Sequence, residues 1–232
     1  MRPRRSPPFE RRAGALVRRI FDKYAEEFDA WFGENRGIYL SELSALKAAS
    51  PVGRILDMGV GSGVFASKLG VCLGVDVSRR VLELSKDKGL EVVQADVTSL
   101  PIRGRAFDTV VISFTICFVD DALAMLKEAS RVLGKKGRLI LGEITLDSQW
   151  GRLYSDQGKK GHRFYSRARF FTLRETLSLL SRSGFQVTRA FGSVGFRPSE
   201  EPRVEEAARI DVRNRSDSGR YGFVCMQALK KR

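Results

Sequence analysis

The stretch Ile55–Phe65, ILDMGVGSGVF, constrains this chain more than any other. A short apolar run carries Asp57, glycines follow at alternate positions (Gly59, Gly61 and Gly63), and GVFASKLG then begins a helix. A strand, a glycine turn and a helix in that order bind nucleotide-like ligands at the carboxyl end of a parallel strand, because glycine permits the tight bend and leaves the backbone open to the ligand. Val64 occupies the position where a dinucleotide fingerprint has its last glycine, so the close helix–strand approach of a pyrophosphate site is not built in. Asp57 would repel a pyrophosphate and suits a ligand bearing an ammonium. Asp76, at the end of VCLGVDV, is able to accept both hydroxyls of a ribose.

Strands and helices alternate around this motif. RILDM, VCLGVDV, LEVVQAD, FDTVVISFTI and GRLILGEI read as buried strands, with helices after Gly63, over Ser78–Lys88 capped by Ser78, and over Asp120–Leu133. A helix over Thr172–Ser183 precedes a sixth strand, FQVTRAFG, and RYGFVCMQALKK closes the chain as a seventh. Continuous apolar strands separated by helices predict an α/β fold with a parallel sheet covered on both faces. Residues 15–50 read as an N-terminal helical cap, with Gly33 and Gly37 separating two helices. Residues 1–14, rich in Arg and Pro, read as a basic flexible arm. The remaining domain, 51–232, carries lid-like insertions at 147–171, which is Gly-rich, basic and aromatic, and at 193–219, which is charged and contains Pro198 and Pro202.

S-adenosylmethionine has a cationic amino-acid end, a ribose and a base, and so meets all these acids. Here the chain resembles a known family. ILDMGVGSG looks like the first motif of class I S-adenosylmethionine-dependent methyltransferases, GVDVS like their second and VVQADVTSLP like their third. FDTVVISFTICFVDD and ALAMLKEASRVLGKKGRLIL are similar to the fourth strand, helix and fifth strand of the small-molecule branch called type 11. The resemblance implies a Rossmann-like, seven-stranded, mostly parallel sheet with an antiparallel last strand and S-adenosylmethionine as cofactor. It also implies cofactor roles for individual residues. Asp57, Gly59 and Gly61 would line the methionine portion, and Gly63 would turn the chain into its helix. Asp76 would hold the ribose, Val77 would cover the adenine, Asp96 and Val97 would contact the base, and Ser113 would close the pocket.

Methyl transfer needs a nucleophile held in line with the donor and little acid–base machinery. His162, the only histidine, and Asp120 and Asp121 after the fourth strand are candidate catalytic groups; for the two acids a helix N-terminus is a sufficient alternative reason. Tyr24, Tyr39, Trp150, Tyr154 and Tyr165 are candidate acceptor-binding aromatics. No residue cluster suggests a metal site.

The net charge of +14 keeps a second class open, an RNA or protein methyltransferase using a basic surface. Against it, the fourth strand ends in SFTICF, without the Asn/Asp-Pro-Pro-aromatic signature of amino-methylating nucleic-acid enzymes. A non-catalytic cofactor-binding protein and a dehydrogenase are further alternatives; Asp57 and Val64 argue against the dehydrogenase. Apolar runs are too short to span a membrane. Cys72, Cys117 and Cys225 read as packed thiols of a cytoplasmic protein.

Overall fold

The computed structural model describes residues 10–214 and 219–231. The first nine residues of the expected basic arm lie outside the described residues. The rest of it is helical, because α1 (Glu10–Lys23) starts within it. The cap holds three helices, not two: α1, α2 (Ala25–Glu34) and α3 (Arg36–Ala48). The breaks fall at Tyr24 and Asn35, while Gly33 and Gly37 are helical. Gly37 answers to packing instead. A Cβ there would sit 3.0 Å from the backbone of Pro202 and Arg203, which cross α3 at that point.

The core is one sheet of β1 (Ile55–Met58), β2 (Leu73–Asp76), β3 (Val92–Gln94), β4 (Phe107–Ser113), β5 (Leu133–Glu143), β6 (Phe185–Ser193), β7 (Ala208–Arg209) and β8 (Phe223–Lys230). Their spatial order is β3-β2-β1-β4-β5-β8-β6-β7, with β8 antiparallel to β5 and β6, and β7 antiparallel to β6. The expected parallel sheet with a reversed last strand is therefore present, and β7 adds an eighth strand. Its two residues are too few to show any alternation in the sequence.

β7 belongs to the region 193–219 read as a lid, and the described part of that region is a packed crossover. Ser41 Oγ accepts from Glu205 N at 2.7 Å, and Ser44 Oγ accepts from Ala207 N at 3.0 Å.

Period-two burial sorts the core. Val110, Ile112, Leu139 and Leu141 face α6 (Ala122–Val132) and α8 (Leu173–Arg182), while Val111 and Ile140 pack with Leu46 of α3 and Phe223. Each such side chain stabilises the fold by roughly 1.5–3 kcal/mol when fully buried. Two short helices follow the first two strands, α4 (Ala66–Leu69) and α5 (Arg79–Asp87), the latter capped by Ser78 as its sequence indicates.

The region 147–171 contains α7 (Gln149–Lys159), which the sequence reading missed. Gly151 and Gly158 disguise it, yet Gly151 is there because a Cβ would overlap the Thr145 carbonyl. Ser148 caps this helix, accepting from Gly151 N at 2.9 Å. The cysteines also divide: Cys225 is buried and Cys117 half-buried, but Cys72, in the turn entering β2, is exposed rather than packed. No described helix is long and apolar enough to cross a membrane.

Candidate active site

The order of strands reverses beside β1, with β2 and β3 on one side and β4 on the other. Crevices form at the carboxyl ends of strands flanking such a switch. The glycine turn leaves β1 there. Gly59, Gly61 and Gly63 have φ of +90°, +53° and +79°, a region strained for any residue with a Cβ. A side chain on Gly59 would overlap that of Thr115, whose hydroxyl lies 3.2 Å from the Gly59 carbonyl and 3.0 Å from that of Ser113. Thr115 thus pins the turn to the end of β4.

Asp57 is 1% exposed and its Oδ1 has no hydrogen-bond partner in the protein. Burial, with the nearby charge of Asp76, pushes its carboxyl up to about 8. Asp76 reaches from β2 across to the turn, accepting from Gly61 N at 3.0 Å and from Ser78 N at 2.9 Å. Burial raises its pKa too, while those backbone N–H groups favour its charged form. A partnerless buried acid beside a second acid is a costly arrangement that a ligand cation relieves. The chemistry of this donor set and the bare glycine backbone therefore fit the amino-acid end and ribose of S-adenosylmethionine.

The other residues singled out in the sequence divide. Ser113 is nearly buried and lines a cavity of about 420 Å³ together with Gly59 and Gly61. Val77 is half-buried, and its carbonyl accepts from Gln94 Nε2 at 2.9 Å. Asp96 is exposed and accepts from Thr98 N at 2.8 Å and Thr98 Oγ1 at 2.7 Å. The Val97 side chain packs into the core with Leu56 and Met58, which leaves only its backbone for a ligand.

Among the aromatic candidates, Tyr154 and Tyr165 line the cavity, their rings stacked 4.5 Å apart. The other three do not. Tyr39 donates to the Val64 carbonyl at 3.2 Å and packs on Phe65, clamping the cap to the turn. Trp150 is a core residue whose Nε1 donates to the Phe196 carbonyl at 2.9 Å. Tyr24 lies between Lys23 and Arg163, which approach its ring to 5.0 and 4.8 Å.

Of the catalytic candidates, His162 lines the cavity, stacked 4.5 Å from Tyr165, with Nδ1 accepting from Tyr165 N at 3.4 Å. Burial and the neighbouring Arg163 lower its pKa, which favours the neutral imidazole. Asp120 and Asp121 are exposed and outside the cavity lining. Asp121 caps α6, accepting from Ala124 N at 2.8 Å, which accounts for it without a catalytic role.

Phe28 and Phe164 belong to the two aromatic groups that the sequence places in the cap and after the fifth strand, whereas Phe21, Phe118 and the buried acids of the lining were not singled out. Phe21, Phe28, Phe118 and Phe164 converge over the cavity from four separate segments, with Phe21 within 5.2–5.4 Å of each of the other three. The Phe28 ring covers the turn, 3.2 Å from where a Gly61 Cβ would be. Asp22 fastens this roof to α5, accepting from Ser78 Oγ at 2.7 Å and Arg80 N at 3.2 Å. Glu26–Arg80 and Lys88–Asp29 ion pairs flank it, and Glu27 pairs with Arg163 on the other side. Glu42 on α3 and Glu143 at the end of β5 also line the cavity, both buried. A carboxylate inside each of the apolar runs YLSELSAL and RLILGEI was the available signal.

Comparison with known proteins agrees with this architecture. Residues 56–141 match the model of a methyltransferase domain family, Methyltransf_11. The crystal structure of an S-adenosylmethionine-dependent methyltransferase of Thermotoga maritima, described as a "possible histamine N-methyltransferase", superposes with a TM-score of 0.85. It is 35% identical, over 93% of this chain and all of that one. An uncharacterized protein of Methanocaldococcus jannaschii is 35% identical over 91% of this chain and 98% of its own length. A demethylmenaquinone methyltransferase of Mycobacterium is 30% identical over 56% of this chain and 60% of its own. The chain belongs to the class I S-adenosylmethionine-dependent methyltransferases of the type 11 kind, and S-adenosylmethionine is its cofactor.

Proposed function

We propose that this methyltransferase acts on a small molecule held in the roofed cavity. The observation that carries the reading is the roof itself. Aromatic rings from α1, α2, the turn after β4 and the segment after α7 close over a space of about 420 Å³, the scale of a metabolite. When bound, the cofactor supplies an activated methyl group on a sulfonium that leaves as a neutral thioether. In this reading Asp57 takes the cofactor's ammonium and the Gly59–Gly61 backbone cradles the methionine portion. Asp76 accepts the ribose hydroxyls, Val77 and the Val97 backbone flank the adenine, and Asp96 accepts from its amino group. Ser113 borders the passage to the acceptor. The chain's own work is to hold the acceptor nucleophile in line and exclude water, which the aromatic walls do. His162, in the lining with its neutral form favoured, is the candidate to take a proton from an acceptor that enters protonated. A cytoplasmic location accords with free thiols.

The test is a radiolabelled-methyl assay on fractionated cell extract, and label is expected in the small-molecule fraction. Label confined to RNA or protein would reject the reading. The net charge of +14 favours that second possibility. Methylation of RNA that falls steeply as salt rises would establish it.

A further inference from the structure

We infer that the acceptor is a small amine, its ammonium drawn to the buried acids Glu42 and Glu143 of the cavity lining. This rests on the proposal that the cavity holds a small-molecule acceptor. The chain carries 41 Lys and Arg against 27 Asp and Glu. Its cavity reverses that balance: Glu27, Glu34, Glu42 and Glu143 line it, and among the described residues no lysine or arginine does. Glu27 is exposed and already paired with Arg163, and Glu34 is exposed. Glu42 and Glu143 are different. Each is only 3% exposed, and neither has a cationic partner among the described residues. Glu143 Oε1 lacks a hydrogen-bond partner of good geometry, with only the Thr176 hydroxyl near enough to the carboxyl to favour its charged form.

The groups facing these acids supply no positive charge. Tyr154 and Tyr165 face Glu42, while Cys117, Thr176, Asp147 and Glu175 surround Glu143. Burial raises the pKa of both carboxyls, that of Glu143 to about 8, with Asp147 and Glu175 adding to the effect. Buried unpaired acids are costly, and polar groups left without a protein partner point to a partner from outside. Within the cavity that partner is the acceptor. An ammonium brings positive charge and three N–H donors, and the aromatic side chains of Phe28 and Phe164 line the same cavity. Before attack the bound ammonium gives one proton to a basic group of the lining, a Glu143 carboxylate or His162; its nitrogen lone pair then takes the methyl as the C–S bond breaks to leave the thioether, and the methylated ammonium again suits these acids. A phosphate or carboxylate acceptor finds no lysine or arginine in the lining to pair with.

The experiment titrates the full chain, loaded with S-adenosylhomocysteine, with a panel of amines, each beside its alcohol and carboxylate counterpart. Phenethylamine, phenethyl alcohol and hydrocinnamate form the first set. Amines are expected to bind at least about tenfold more tightly than their counterparts, the scale of a charge-assisted hydrogen bond. Glu42→Gln and Glu143→Gln should each remove about that factor while leaving S-adenosylhomocysteine affinity unchanged. Retained S-adenosylhomocysteine binding also reports that each variant has folded. The inference is overturned if S-adenosylhomocysteine binds but no amine exceeds its neutral counterpart. It is overturned equally if the variants bind amines like the parent, or if Glu143→Gln weakens S-adenosylmethionine and not the amines. Failure of the parent protein to bind S-adenosylhomocysteine would instead remove the cofactor assignment on which the cavity's role depends.

Discussion

At the glycine turn, the groups proposed for the cofactor come largely from one short stretch. Asp57, the turn from Gly59 to Gly63 and the Gly61 N–H that meets Asp76 all lie within a strand, its turn and the next strand. At the far end, Phe21, Glu42, Glu143 and Tyr165 come from α1, α3, β5 and the turn after α7. The first end is backbone and fixed acids; the second is side chains gathered by tertiary packing. A cofactor common to a family needs the first arrangement, and an acceptor peculiar to one member is accommodated by changing the second.

Substitutions at the two ends should therefore separate. Gly59→Val is expected to have the largest effect, with no measurable S-adenosylhomocysteine binding by calorimetry and a lower Tm. The left-handed backbone alone costs a side-chain-bearing residue roughly 1–2 kcal/mol, and the overlap with Thr115 adds to it. Tyr165→Phe, at the other end, should leave cofactor affinity untouched. If both variants lost it alike, the division into two ends would be wrong.

The acids at both ends link stability to pH. Asp57 and Glu143 have ordinary values of 3.8 and 4.5, and the fold raises each to about 8. Between about pH 4 and about pH 8 the folded chain therefore holds protons that the unfolded chain has lost, so stability declines as pH rises through that window and levels off above it. The slope approaches ~1.4 kcal/mol per pH unit for each proton involved. Urea midpoints across pH should show the decline, and Glu143→Gln should flatten it. A variant curve parallel to the parent's would mean Glu143 is ionised in the folded protein. Asp57 yields a ligand-linked counterpart: binding S-adenosylmethionine at neutral pH should release protons, measurable by calorimetry in buffers of different ionisation enthalpy.

Asp76→Ala should weaken S-adenosylhomocysteine by about 1–3 kcal/mol, the cost of removing a buried hydrogen-bond partner. Amine binding to the saturated protein should hardly change. A loss confined to the amines would put Asp76 at the acceptor end.

These contrasts also explain what could be read from the chain beforehand. The β1 turn, Asp76 and the alternation through β5 were legible because each depends on neighbours in sequence. The Ser78 cap is local in the same way. Gly37 misled because its reason is contact with the distant backbone of Pro202 and Arg203, Gly151 because it clears the Thr145 carbonyl in the turn before its helix, and Gly33 because it has nothing within 4 Å. Tyr39 and Trp150 were placed at the acceptor from their type alone, whereas their polar atoms are satisfied by Val64 and Phe196. Glu42 and Glu143 announced themselves only as acids in apolar surroundings, and their convergence on one cavity is a property of the fold.

The smallest expected effect tests where the two ends meet. Asp22 stands on α1, next to Phe21 of the roof, yet its carboxylate meets the start of α5 close to Asp76, through Ser78 Oγ and Arg80 N. Asp22→Ala removes both bonds and should destabilise the protein by about 1 kcal/mol, the usual value of a helix cap. If α1 only closes the acceptor space, the acceptor KM should rise while S-adenosylhomocysteine affinity stays within about twofold of the parent, because a surface contact of this kind perturbs a rigid neighbour little. If cofactor affinity falls as far as it does in Asp76→Ala, the cap is part of the cofactor site. The roof and the glycine turn would then act as one unit, and residues on α1 would have to be counted with Asp57 and Asp76.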